Sequence, residues 1–188
     1  WAGGTEPELL AIGNDERLTR PAVDLLGSST MEQLLSQAPF KRPHDGVTFG
    51  WHQDIQHRDK GNDTWSDPNG RGSFVQTLTA IDDMTADSGP LQFIAGTGNI
   101  GNIGLYSHHY EATSEQVSNL PFDPSKAVTI DAKAGDVVFF GPYAIHASFE
   151  NTSSDYRRVF INGYAYPGAN KRQYPGDGAG RLITVNDV

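Results

Sequence analysis

The chain has 188 residues, a formal net charge of -9 and no cysteine. Its length suits one domain with a real core, and its acidity disfavours nucleic acid and anionic membrane as partners. The missing cysteines exclude disulfides, thiolate zinc sites, iron–sulfur clusters and Cys nucleophiles, and fit a reducing, cytoplasmic compartment. No apolar run approaches the roughly 20 residues of a membrane span, and no signal-peptide pattern opens the chain. The sequence begins at Trp1 rather than Met, so it is expected to start inside a longer natural protein that supplies further N-terminal residues.

A short helical turn is expected around Pro7–Ile12. Asn14 to Leu26 reads as a helix with Leu18, Val23, Leu25 and Leu26 apolar and Gly27 as its stop. Ser29-Thr30-Met31-Glu32 has capping-box spacing and predicts another short helix through Leu34 and Leu35. Residues 1–37 are therefore expected to form a helical flank. Ala38 to Pro43 reads as a strand closed by the His44-Asp45-Gly46 turn, and Val47 to Asp54 as the next strand. Ile55 to Arg71 is a long polar loop and a candidate lid.

Strands follow at Ser73–Met84 and Leu91–Ala95, separated by the Ser88-Gly89-Pro90 turn. The glycine-rich Gly96–Gly104 stretch lacks the Lys-Ser/Thr of a phosphate loop. Thr113-Ser114-Glu115-Gln116 has the spacing to cap one more helix. Ala127–Ile130, Val137–Phe140, Ile145–Phe149 and Arg157–Tyr166 bring the count to about eight strands, before a polar tail from Gly168 to Gly180. Short strands joined by Gly, Pro and Asp turns predict a mainly β, double-sheet jelly roll. Residues 38–166 would form its core and 167–188 a C-terminal tail, all within one domain.

The chemistry centres on Gly50-Trp51-His52-Gln53-Asp54. On an extended strand His52 and Asp54 share a side while Gln53 faces away. With one more imidazole they make the two-histidine, one-carboxylate set that holds Fe(II) and leaves positions open for substrates and O2. His146, just beyond the buried strand Val137–Phe140, is the preferred third ligand. His57, three residues past Asp54, competes if the strand ends early. His44 lies in a polar turn, and His108 and His109 lie in a tyrosine-bearing loop.

Such a centre needs an electron source, most often 2-oxoglutarate, whose distal carboxylate calls for a fixed cation. Arginine suits that task because its planar fork holds a carboxylate in two places. Arg157 and Arg158 both qualify, and strand parity does not choose between them. Trp51 reads mainly as packing, Asp136 as a turn residue, and Asp82 and Asp83 as structural because adjacent strand residues face opposite ways.

The sequence resembles the phytanoyl-CoA dioxygenase family of Fe(II)/2-oxoglutarate oxygenases. Phe40-Lys41-Arg42-Pro43, Trp51-His52-Gln53-Asp54, the Ser88–Gly96 stretch, Ala134–Phe140, His146-Ala147-Ser148 and Arg157 follow the family's order. The resemblance covers roughly residues 38–166 and implies a double-stranded β-helix, a jelly-roll variant. It implies His52, Asp54 and His146 as iron ligands. The family's distal arginine follows its second histidine by eleven positions, which selects Arg157, and Ser148 matches its helper hydroxyl. It further implies hydroxylation of a small molecule, with release of succinate and CO2.

Related halogenases lack the carboxylate, so Asp54 favours hydroxylation or desaturation over halogenation. Gly96-Thr97-Gly98 departs from the family's frequent Gly-Ser-His. That departure removes a guide to substrate; the acidity and the Asp-, Asn- and Tyr-rich loops hint at a polar, cationic one. Two rivals remain. One is a cupin-like metal isomerase or hydrolase that does not use 2-oxoglutarate. The other is a non-catalytic jelly-roll binding module, with Trp51, Trp65, Tyr106 and Tyr110 as stacking platforms.

Overall fold

The computed structural model describes residues 2–59, 63–105, 121–172 and 180–186. The readings placed on Tyr106, His108, His109, Tyr110 and the Thr113 cap lie outside them. Two helices open the chain, α1 (Pro7–Gly13) and α2 (Glu16–Leu26). Asp15 caps α2 by accepting from the Arg17 amide, and Gly27 ends it at φ 72, a left-handed conformation that glycine adopts without a Cβ penalty. Leu18, Ala22 and Leu26 of α2 pack with Met31, Val75 and Tyr164.

Ten strands follow. They are β1 (Thr30–Gln37), β2 (Phe40–Lys41), β3 (Phe49–His52), β4 (Phe74–Ala80) and β5 (Leu91–Ile94), then β6 (Ala127–Thr129), β7 (Val137–Phe140), β8 (His146–Ser148), β9 (Arg157–Ala165) and β10 (Leu182–Thr184). A one-turn helix, α3 (Ile55–Arg58), interrupts them after β3. The larger sheet runs β10-β1-β9-β4-β7, with β2 also on β9, and the smaller runs β3-β8-β5-β6. All strand pairings are antiparallel, as expected of a jelly roll. No described helix is long and apolar enough to cross a membrane.

Three expectations are corrected. The helix read from Ser29-Thr30-Met31-Glu32 is strand β1. Its backbone is claimed on both edges, by β9 and β10, and that tertiary pairing outweighs local helix preference. Ser28 instead turns the chain, its hydroxyl donating to the Thr30 carbonyl at 2.7 Å. The tail beyond residue 166 also contributes to the sheet, because β10 pairs with β1 from Thr30↔Thr184 to Glu32↔Leu182. The strand expected over Val47–Asp54 ends at His52, and Asp54 has helical φ -66 and ψ -22 as the N-cap of α3.

Candidate metal centre and anion pocket

A cavity of about 570 Å³ lies between the two sheets. The larger sheet faces it with Leu35, Gln76, Leu78, Arg157 and Val159, and the smaller with Phe49, His52, Leu91, His146 and Ser148.

His52 and His146 stand directly opposite each other across the β3–β8 pair. Their ring centroids are 4.2 Å apart. The His52 Nδ1 donates to the Gly50 carbonyl at 2.7 Å, and the His146 Nδ1 to the Ala144 carbonyl at 2.9 Å. Each bond fixes a tautomer that leaves the Nε2 lone pair free to bind metal. Both Nε2 atoms converge on Asp54, His52 at 3.4 Å from Oδ1 and His146 at 3.6 Å from Oδ2. Cis ligands held about 2.1 Å from an octahedral ion lie about 3 Å apart, so a small inward shift would seat one.

Gln76, buried on β4, donates its amide to Asp54 Oδ2. Burial by itself would raise the Asp54 carboxyl, but His146 and His52 outweigh it and hold it well below the usual carboxylate range. Burial pushes His146 down to about 4, so its imidazole is neutral at pH 7, as a metal ligand must be.

His57 is a second neighbour. One ligand atom each from His52, Asp54 and His57 lie within 4.8 Å of one another. His57 sits on α3, its ring set edge-on to His52 at 5.8 Å. His146 differs in two ways: it is buried, and it is fixed by strand pairing on both sides, to His52 and to Phe93.

Gln53 does turn away from this point, but not outward. It is fully buried, donates to the Gly101 and Tyr143 carbonyls at 2.8 Å each, and accepts from the Ile103 amide at 2.9 Å. It thereby ties the 101–105 segment to the residues just before His146 and braces the turn that redirects Asp54.

On the other side of the histidines, along β8, three polar groups meet. Arg157 is 4 % exposed and donates to the Ser148 hydroxyl at 3.0 Å. Its Nε is buried with no hydrogen-bond partner, a costly condition unless a ligand answers it. Arg158 faces outward, where Asp82 holds its fork at 2.8 and 2.6 Å.

Lys41 is the residue that sequence reasoning missed here. It is 1 % exposed, and its Nζ donates to the Ser148 hydroxyl and carbonyl at 2.8 Å each, and to the Phe149 carbonyl. Burial, reinforced by the Arg157 charge, pushes it down to about 7, and burial lowers Arg157 to about 10. Two buried cations side by side, with an unanswered N–H, are the chemistry of an anion site. The hint lay in Phe40-Lys41, where β2 exposes the phenylalanine and buries the lysine.

Trp51, Trp65, Asp136 and Asp83 are structural. Trp51 is buried edge-on to Phe122 at 5.4 Å, and Trp65 to Phe74 at 5.4 Å, so neither is a stacking platform. Asp136 accepts from the Lys133 amide at 2.8 Å in its turn, and Asp83 pairs with Lys133 at the surface.

The profile of the phytanoyl-CoA dioxygenase family matches residues 6–159. L-proline trans-4-hydroxylase of Streptomyces griseoviridis is 29% identical over 142 residues, covering 66% of this chain and 50% of that protein. Ectoine dioxygenase of Bordetella bronchiseptica is 27% identical over 161 residues, covering 78% of this chain and 50% of its own length. The chain thus spans about half the length of the curated relatives it matches.

Among solved structures, EvdO2 from Micromonospora carbonacea var. aurantiaca superposes with a TM-score of 0.68 at 22% identity, covering 93% of this chain and 69% of that one. The epimerase SnoN, solved with Fe3+, alpha ketoglutarate and nogalamycin RO, gives 0.68 at 15% identity, covering 94% and 71%. At such identities these likenesses show the fold. The family match, over most of the chain's length, means that this chain belongs to the phytanoyl-CoA dioxygenase family.

Proposed function

We propose that the chain carries the active site of a non-haem Fe(II)- and 2-oxoglutarate-dependent oxygenase that hydroxylates a small molecule, with release of succinate and CO2. His52, Asp54 and His146 are the metal ligands in this proposal. Arg157 grips the distal carboxylate of 2-oxoglutarate, with Ser148 and Lys41 completing its seat. The single observation that carries it is the convergence of two Nδ1-anchored imidazoles on the two oxygens of Asp54. Beside it lies a buried guanidinium without an anion among the described residues. The relatives' names, a proline hydroxylase and an ectoine dioxygenase, support a small-molecule substrate. The cytoplasmic location and the single-domain organisation expected from the sequence belong to the same proposal.

When bound, the ferrous ion and 2-oxoglutarate supply the electrons that activate O2 for C–H oxidation. The chain's own residues position and shield. Gly50 and Ala144 hold the imidazoles in their binding tautomer, and Gln76 orients Asp54. Asp54 fills the carboxylate position, which favours hydroxylation over halogenation. Leu78, Leu91, Phe140 and Val159 line the cavity with apolar surface that limits water around the centre.

His57 supports a second arrangement, in which it replaces His146 as the third ligand. The cupin-like isomerase or hydrolase would use the same metal but would leave Arg157 and Lys41 without a task. Adding 2-oxoglutarate to the anaerobic Fe(II)-loaded protein separates these functions. The oxygenase gives a visible metal-to-ligand charge-transfer band and, once air is admitted, succinate. Bound iron with neither signal contradicts the proposal.

A further inference from the structure

We propose that the substrate carries a carboxylate and that Arg172 receives it at the outer end of the cavity. This rests on the oxygenase function above.

The strand register orders the cavity. On the paired β3 and β8, Phe49 faces Ser148 and His52 faces His146. The path from Phe49 through His52 to Asp54 and α3 therefore leads away from Ser148 and Arg157. Arg58 closes α3, about one helical turn from Asp54. Arg172 reaches this point from the C-terminal segment and donates to the Arg58 carbonyl at 2.8 Å and to the Thr64 hydroxyl at 3.3 Å. Backbone bonds hold the two segments together, from Ser66 to the Ala169 carbonyl at 2.9 Å and from Lys171 to the Thr64 carbonyl at 3.0 Å. The metal ligands thus lie between two cationic ends.

The charges lining the cavity are one-sided. Arg157 and Arg172 both line it, and among its described lining residues Asp54 supplies the one carboxylate, in a chain whose net charge is -9. The acids are placed elsewhere: Asp82, Asp83, Asp87 and Asp155 surround a separate cleft on the outer surface. A ferrous ion adds more positive charge. The two carboxylates of 2-oxoglutarate would be answered by the metal and by Arg157, which would leave the Arg172 end for the other ligand.

Arg172 is half-buried, its two bonds go to neutral oxygens, and no described carboxylate pairs with it. A fork pre-oriented in this way is suited to a carboxylate. The cationic substrate suggested by overall acidity would instead meet two guanidiniums and a metal. A cavity of about 570 Å³, shared with 2-oxoglutarate, limits that carboxylate to a small molecule.

The test uses the anaerobic Fe(II)–2-oxoglutarate complex and its visible band, which shifts when a molecule enters beside the metal. The probes are L-amino acids, including cyclic and N-methylated ones, and small hydroxy acids, each paired with its carboxamide. At least one acid should shift the band, and its amide should need at least about tenfold higher concentration. Arg172→Gln should raise that acid's half-saturation at least about tenfold and leave 2-oxoglutarate within about twofold, and Arg172→Lys should recover part of the loss.

The proposal is overturned if acid and amide act alike, if only amines or neutral probes shift the band, or if no probe does. It is also overturned if Arg172→Gln weakens 2-oxoglutarate instead. The acid-to-amide preference of the unaltered protein decides the matter even if the variants fail to fold. Failure of 2-oxoglutarate to produce any band contradicts the oxygenase function itself, so the two failures are distinguishable.

Discussion

At the inner end of the cavity Arg157, Ser148 and, behind Ser148, Lys41 all stand on paired strands. Arg157 lies on β9, Ser148 on β8 and Lys41 on β2, and β2 pairs with β9 at Lys41↔Arg157. At the outer end Arg58 ends a one-turn helix and Arg172 lies beyond the last residue of β9, held by a short bridge between segments 64–66 and 169–171. A ligand common to a whole family can be met by a rigid sheet. A ligand that differs between relatives is met by loops, which change without disturbing the core. The inner end therefore fits the co-substrate and the outer end the substrate.

The largest effect is expected between the two ends, at the centre. Asp54→Ala removes the proposed charged ligand and the acceptor of Gln76. Losing only a group that hydrogen-bonds to a ligand costs about 10–100-fold in metal affinity, so Fe(II) binding measured by equilibrium dialysis should weaken by more than about 100-fold, with succinate formation lost.

At the inner end, Arg157→Ala should raise the 2-oxoglutarate half-saturation about 100-fold, since losing one partner of a buried charge pair costs about 2–5 kcal/mol. Iron affinity should change little. Equal losses of iron and 2-oxoglutarate would mean that the substitution damages the sheet rather than the seat.

Gly89→Ala tests how firmly that seat is built. Gly89 has φ 69, a Cβ there would meet the Phe149 carbonyl oxygen at 2.4 Å, and the Gly89 carbonyl accepts from the Ser148 hydroxyl. Destabilisation of about 2–4 kcal/mol in denaturant unfolding is expected. A loss below about 1 kcal/mol would show the inner end to be more plastic than its pairing implies.

Lys41 gives a smaller effect with a definite sign. Burial and Arg157 lower it to about 7 in the free protein. An incoming carboxylate favours the protonated form, so binding above that pH takes up a proton. The affinity for 2-oxoglutarate should fall as pH rises from about 7 to 9, by at most about tenfold per unit, and Lys41→Met should flatten the slope. The same lowered value means that the unfolded chain, with an ordinary lysine, binds more protons between about 7 and 10.5. Folding stability from this group therefore rises with pH across that window. A slope unchanged in Lys41→Met would remove Lys41 from the seat.

How much of this was legible depended on what fixed each residue. His52 and His146 stand on short strands framed by turns, where a motif or a neighbouring buried strand points to them; Arg157, first residue of the long β9, and Ser148 are singled out only by the family's spacing. Lys41 was not legible, because Phe40 outside and Lys41 inside inverts the usual order of burial. Three acceptor oxygens and a proton affinity lowered to about 7 offset the cost of burying this ammonium. β1 was misread because Ser29-Thr30-Met31-Glu32 carries a local helix signal, whereas its partners β9 and β10 lie far along the chain. Gln53 was expected simply to face away; its anchoring role depends on Gly101, Ile103 and Tyr143, which no local pattern links to it. Arg172 belongs to a tail whose pairing with residues 64–66 has no signature in sequence.

The most direct test of the centre compares Fe(II) affinity in His146→Ala and His57→Ala, each measured anaerobically with saturating 2-oxoglutarate. Iron binding should be lost in His146→Ala and kept within about threefold in His57→Ala, which lacks only a neighbouring imidazole. The opposite pattern, with His146→Ala retaining iron and His57→Ala losing it, would contradict the account.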